Sequence, residues 1–302
     1  MSGVPPLSRL RRLVLGLPAL WLVLFFLAPF VLVAKISLSQ AALSQPPYAP
    51  AFALADGFAG VWEKAQGFSL AAYGLVFDDD IYVAAYLSSL RLAALATLAT
   101  LLIAFPLAWA MTKAPGRVRP ALVLLAIAPF WTSFLIRIYA WIMILKDEGL
   151  LNHALMSLGL IDAPLPIFAS DWAVLIGIVY SYLPFMVLPL YTALDRLDPA
   201  LLEAAADLGA TPARAFRRIV LPLARPGIIA GVLLVFIPAV GEFVIPDLLG
   251  GSDTLMIGRT LWTEFFENRD WPAASAVAII LLALLLVPLV IYERMQIREA
   301  AR

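Results

Sequence analysis

The chain has 302 residues, of which 63% are hydrophobic and 14% charged, with no formal net charge. A soluble domain carries roughly 25% charged residues, so this much apolar surface calls for lipid as its solvent, and zero net charge offers no bulk attraction to nucleic acid. Cysteine is absent and histidine occurs once, at His153, which excludes disulfides, thiolate chemistry and a multi-histidine metal site within the chain.

Arg9, Arg11 and Arg12 precede the first apolar run, 13–36. A signal peptide begins in the same way, but its apolar core is about 7–15 residues long and ends in a small-residue cleavage site. The run here is longer and lacks that end, so it reads as a retained transmembrane helix. The loop 37–81 follows, with QPPYAP near its start, and short helical or irregular structure is expected in it. Apolar runs long enough for a bilayer then cover 82–111, 120–145, 172–191, 226–248 and 272–291. The predicted architecture is an all-α integral membrane protein of six transmembrane helices, one domain over 1–302, with no internal repeat.

Charge sets its orientation. With the N-terminus inside, the inner segments hold Arg9, Arg11 and Arg12; Lys113, Arg117 and Arg119; Arg196, Arg214, Arg217, Arg218 and Arg225; and Arg294, Arg298 and Arg302, which is most of the 21 basic residues. The outer loops hold the acidic clusters at 78–80, 147–148 and 264–270. Positive residues stay inside, so both termini are predicted to be cytoplasmic.

Charges within the apolar runs are the exceptions, since one at a helix centre costs about 2.5–3.5 kcal/mol on insertion scales. Arg91 and Arg137 fall near outer helix ends, where long side chains snorkel. Glu242 lies in the outer third of the fifth helix among Pro238, Gly241 and Pro246, a combination suited to a broken helix lining a cavity, and it is the candidate pathway carboxylate. Asp247 either ends that helix at the interface or joins Glu242 through a break near Pro246. Trp131, Tyr139 and Trp141 on the third helix, with Trp262, Phe265 and Phe266, read either as an interfacial aromatic belt or as an aromatic wall for a cation.

The one patterned polar interval is LLEAAADLGATPARAFRRIVLPLARPG, 201–227. Pro199 opens a short helix of strong helix formers, and Gly209 stops it by taking the left-handed conformation cheaply. Thr211 and Pro212 supply the cap and first position of a second helix, which Pro222 is expected to end. Glu203 and Asp207 share one face of the first helix. Two short helices joined at a glycine make a compact, rigid knob.

From Glu203 the pattern runs Glu203-Ala204-Ala205, three residues, Gly209, nine residues, then Ile219-Val220-Leu221-Pro222. It resembles the EAA motif of importer-type ABC transporter permeases, E-A-A-x3-G-x9-I-x-L-P, at every specified position. The resemblance implies the type I ABC importer permease fold, with 192–225 as a cytoplasmic coupling loop docked on a separate ATPase. Glu203, Ala204, Ala205, Asp207, Gly209, Ile219, Leu221 and Pro222 would form that contact, Glu203 as polar anchor and Gly209 as elbow. The stretches 129–152, 182–210 and 236–279 are similar to the permeases of putrescine/spermidine uptake, closest to their first permease subunit, whereas 40–66 matches nothing in them.

The resemblance further implies inward polyamine movement by alternating access in a bacterial inner membrane. Its implied partners are a second permease, an ATPase dimer and an extracytoplasmic solute-binding protein, with no nucleic acid. ATP and magnesium would be used by the ATPase, and this chain would bind no cofactor and catalyse nothing itself. The residues agree on one point: a Walker A loop needs Gly-Lys, and Lys35, Lys64, Lys113 and Lys146 follow Ala, Glu, Thr and Leu. A permease for another small organic cation or solute of the same transporter family is the alternative. An ion-coupled secondary transporter would need midplane ionisable groups and repeated halves, and a membrane enzyme would need clustered catalytic groups.

Overall fold

The computed structural model describes residues 9–53 and 57–300. Arg302 of the inner charge set lies outside the described residues, as do the side chains of Arg9, Arg11, Arg12 and Arg298. In chain order the elements are α1 (Arg9–Leu22), a π-helical turn (Val23–Leu27), α2 (Ala28–Ser37), β1 (Gln40–Ala41), β2 (Tyr48–Ala49), α3 (Gly57–Ala65), α4 (Ala71–Asp78) and α5 (Asp80–Lys113). Then come α6 (Arg119–Ile127), a 3-10 turn (Ala128–Trp131), α7 (Phe134–Leu145), α8 (Leu150–Ser157), α9 (Asp171–Asp195) and α10 (Pro199–Asp207). The chain closes with α11 (Pro212–Ala215), a π turn (Phe216–Val220), α12 (Leu221–Val240), α13 (Val244–Leu249), α14 (Ile257–Trp262), a π turn (Thr263–Glu267) and α15 (Trp271–Ala300).

Among the described residues four helices are long and apolar enough to cross a membrane: Val14–Ser37, Asp80–Lys113, Asp171–Asp195 and Pro212–Val240. The expected third span, 120–145, is not one helix. It is the pair Arg119–Trp131 and Phe134–Ser157, bent by 89°, and it makes a fifth span if the pair crosses as one. The last predicted span lies on the 30-residue α15, which begins with the apolar stretch Trp271–Leu286.

The expected fifth span also differs at both ends. Its helix stops at Val240 rather than 248, and at the other end it runs on through Pro222 to Pro212 without a stop. The reason is the π turn before Pro222. Leu221 N–H reaches back five residues to Phe216 O, so the wider turn makes room for a ring that would collide with the carbonyl four residues back in an α-helix. The first span uses the same device, where Ala28 N–H bonds Val23 O just before Pro29.

The residues fall into two compact units, the described parts of Met1–Val83 with Leu261–Arg302, and Ala84–Thr260. In the first, the loop expected to be helical or irregular holds a two-stranded antiparallel hairpin with Gln40 opposite Ala49 and Ala41 opposite Tyr48. Lys35 pins it: its ammonium donates to Pro50 O and sits 4.2 Å from the Tyr48 ring centre and 4.7 Å from that of Phe52. Trp271 stacks on Phe265 at 4.9 Å, and Tyr82 donates to Glu264 Oε1 at 3.0 Å.

In the second unit α9 and α12 pack along a seam of small residues. A Cβ on Gly227 would lie 2.5 Å from Ala193 Cβ and 2.6 Å from Pro189 O, and one on Gly231 would lie 2.5 Å from Met186 Sδ. At Gly227 the obstacle is backbone and glycine is required; at Gly231 it is the fully buried Met186 side chain. Ala104, Ala108 and Met111 of α5 join Met186, Leu190 and Leu194 of α9 with Val220, Ala224 and Val235 in the core beneath it.

Candidate functional site

The knob follows from its own residues. Asp198 Oδ1 accepts from Ala200 N–H at 3.0 Å and caps α10, with Pro199 in the first turn. At the other end Gly209 N–H bonds Ala206 O at 2.8 Å and Ala210 N–H bonds Ala205 O at 2.9 Å. This Schellman closure needs a left-handed residue, and Gly209 has φ of +77°. Thr211 Oγ1 then accepts from Arg214 N–H at 3.3 Å and starts α11.

Glu203, Ala204, Asp207 and Gly209 are exposed, Ala205, Ile219 and Leu221 half-buried, and Pro222 exposed. Leu208 at the elbow is 89% exposed. Behind it Trp109, Leu202, Ala206, Ala210, Phe216 and Val220 line an apolar groove of about 860 Å³. Because α11, the π turn and α12 are continuous, the knob is rigidly attached to a 29-residue helix.

The two helix breaks place the membrane charges. At the first, Arg137 does not snorkel outward. Its Nη1 turns back to Pro129 O, which also accepts from Thr132 N–H at 3.3 Å, and to Thr132 O at 2.9 Å, adding a donor at the carbonyls of the break. Its guanidinium lies 5.9 Å from the Phe130 ring centre and 5.8 Å from that of Phe134. Arg91 does not reach for solvent alone either: its Nη2 pairs with Asp171 Oδ2 at 2.6 Å.

At the second break Glu242 is nine-tenths buried. Its Oε1 accepts from Val244 N–H at 3.1 Å and Ile245 N–H at 3.4 Å, and its Oε2 accepts from the Tyr182 hydroxyl at 2.5 Å. The break falls at Gly241–Phe243 rather than near Pro246, because Pro246 sits in the first turn of α13, where its missing N–H costs no helical bond. The backbone of α14 presses against it, since a Cβ on Gly258 would lie 2.4 Å from Gly241 O. Asp247 does not join Glu242. It pairs with Arg259 at 3.3 Å and is 56% exposed.

Trp131, Tyr139 and Trp141 are not gathered into one wall. Trp131 precedes the 89° bend and is 74% exposed, Tyr139 follows it and is exposed, and Trp141 packs edge-on against Tyr180 at 5.4 Å. A different aromatic row is present, one that sequence reasoning missed. Phe130 lies 5.0 Å from Phe185, which lies 5.9 Å from Tyr182, and Tyr182 ends on Glu242. Only the three-residue spacing of Tyr182 and Phe185 on one helix face carried a signal of it.

Membrane-length helices, a polar two-helix knob continuous with one of them, and a buried carboxylate at a helix break define a multi-pass membrane protein. The chain matches, over residues 6–298, the family model described as "Binding-protein-dependent transport system inner membrane component", and it belongs to that family. It is 48% identical over 216 residues to the spermidine/putrescine transport system permease protein PotB of Escherichia coli (strain K12), covering 72% of this chain and 78% of that protein. It is 39% identical to the protein of the same name from Haemophilus influenzae, over 95% of this chain and 94% of the relative. Among solved structures, a bacterial alginate ABC transporter in complex with an alginate pentasaccharide-bound periplasmic protein has a chain that superposes with a TM-score of 0.69 over 96% of this chain and 94% of that one, at 17% identity. That likeness shows the fold. The protein is therefore a multi-pass transport component of the inner membrane.

Proposed function

We propose that the chain is the permease subunit of an ATP-driven importer that carries polyamines inward, with putrescine and spermidine as its substrate class. The observation that carries this reading is the two-helix knob, built on the EAA spacing and fused to α12, in a chain 48% identical to a spermidine/putrescine permease. In this reading the chain works as one permease domain of six spans in the type I importer arrangement, both termini cytoplasmic, with the bent pair and α15 as two of the spans. A second, related permease completes the path, two ATPase subunits dock on the knob, and an extracytoplasmic binding protein delivers the solute. ATP and magnesium act at the ATPase subunits, and this chain carries no cofactor.

The mechanism follows from the knob's rigidity. Closure of the ATPase dimer displaces the face of Glu203 and Asp207. The Schellman closure at Gly209 and the unbroken run from Pro212 to Val240 pass that displacement on as helix tilt rather than absorbing it. The path alternates between outward- and inward-open states as the helices tilt. Inside the membrane, Glu242 supplies the negative charge that a di- or trication needs, and aromatic faces supply weak sites from which it leaves again. In this reading Trp131, Tyr139, Trp141 and Asp247 flank the outer part of the path.

The test is co-purification with co-expressed partners followed by ATPase assays over a panel of solutes loaded on the binding protein. Stimulation by putrescine or spermidine supports the reading. Stimulation only by another organic cation moves the substrate while keeping the transporter type. Uptake that survives ATP depletion and collapses with the proton gradient overturns it.

A further inference from the structure

Glu242 is the only charged side chain among the described residues that is nine-tenths buried. Its two oxygens are held differently. Oε1 is fixed by the first amides of α13, whereas Oε2 meets only the neutral Tyr182 hydroxyl, 60 residues away in the chain. Among the described residues no cation pairs with it; Arg259 is taken by Asp247 and Arg137 by the carbonyls at the other break. An ammonium makes a stronger, charge-assisted bond to a carboxylate oxygen than a neutral hydroxyl does.

A row of aromatic rings runs towards that oxygen. Phe130 and Phe185 are 37% and 38% exposed, and their rings lead to Tyr182 and so to Oε2. Ring faces attract cations. The bond's position on the lever is equally specific. Tyr182 lies near the midpoint of α9, and Glu242 is two residues past the end of the continuous helix that starts at the knob. Between knob and bond the two helices meet at Gly227 and Gly231 too closely for any side chain. When α12 shifts along α9, the Tyr182–Glu242 bond is the polar contact that must break.

We infer that Tyr182 and Glu242 form an occupancy latch. In the empty path the hydroxyl holds Oε2 and fixes the α9–α12 register. A primary ammonium of the solute displaces the hydroxyl from Oε2, and the released helix follows the knob. Tyr182 is then a positioning residue and Glu242 the group that senses the cation. The latch rests on the importer reading above.

The complex of this chain with its co-expressed permease and ATPase partners, in nanodiscs, tests it with putrescine-loaded binding protein as the stimulus. Tyr182→Phe keeps the ring and removes the donor. A hydrogen bond to a charged acceptor shifts a two-element equilibrium by about tenfold or more, so the unstimulated ATPase rate rises roughly three- to tenfold and the stimulation ratio falls towards one. Glu242→Gln keeps an acceptor for the α13 amides and a partner for the hydroxyl but removes the charge, so stimulation by putrescine falls at least several-fold. Loss of packing alone lowers every rate together, and assembly is read separately by co-purification. An unstimulated rate in Tyr182→Phe equal to that of the wild type overturns the latch. So does normal stimulation in Glu242→Gln. A wild-type complex indifferent to polyamines, with Tyr182→Phe still accelerated, overturns the polyamine reading and supports the latch.

Discussion

Gly209 shows how much of the knob depends on one backbone angle. Nothing lies within 4 Å of where its Cβ would be, so size is no obstacle, and only its φ of +77° resists substitution. Placing an ordinary L-residue there costs roughly 1–2 kcal/mol, while asparagine adopts the left-handed region more easily. Gly209→Val is therefore expected to lose solute-stimulated ATPase in the assembled complex, and Gly209→Asn to keep more of it. Equal activity in the two variants would show that the elbow's shape does not matter. The knob was legible because its signals are local: Pro199, Gly209 and Thr211 act within a few residues of themselves, and only the Asp198 cap was overlooked. Glu242 was legible as a misplaced charge, but its partner was not, since Tyr182 lies 60 residues earlier with nothing in its neighbourhood to mark it. Arg137 misled for the same reason. Its position near a helix end suggested snorkelling, whereas the break just before it offers the carbonyls of Pro129 and Thr132.

At the scale of elements, apolar runs announced where helices lie but not where they bend. Pro222 reads as a stop, yet the π turn at Phe216–Val220 carries the helix through it, so the second half of the knob runs without a break to Val240. No residue pattern forecasts the 89° bend at 132–133, because it is held by carbonyl capping from Arg137. Arg137→Lys replaces a planar fork with a single ammonium and weakens the link between the two sides of the break. The purified complex is expected to melt several degrees lower, and an unchanged melting temperature would remove the arginine from that role. The α9–α12 seam gives a sharper case. Gly231→Val puts a side chain where Met186 Sδ already stands 2.5 Å from the Cβ position, and overpacking of this kind costs about 1–3 kcal/mol. A lower yield of intact complex on size-exclusion chromatography is expected, with Gly74→Val, whose Cβ meets nothing within 4 Å, as the neutral comparison.

As a whole molecule, this family member is proposed to be an importer permease driven through its knob. Its sidedness is open to a direct check because the chain has no cysteine. A thiol placed at Leu208 is expected to label only from the cytoplasmic side of oriented vesicles, and one at the exposed Leu43 only from the outside; labelling of both from one side would contradict the six-span arrangement. The most direct measurement is the ATPase rate of the assembled complex, with and without solute-loaded binding protein, for the wild type and for Glu203→Ala. Glu203 is exposed on α10 and holds up nothing in this chain's core, so the variant is expected to assemble, yet its hydrolysis should no longer respond to the loaded binding protein. Full stimulation in an assembled Glu203→Ala complex would contradict the account.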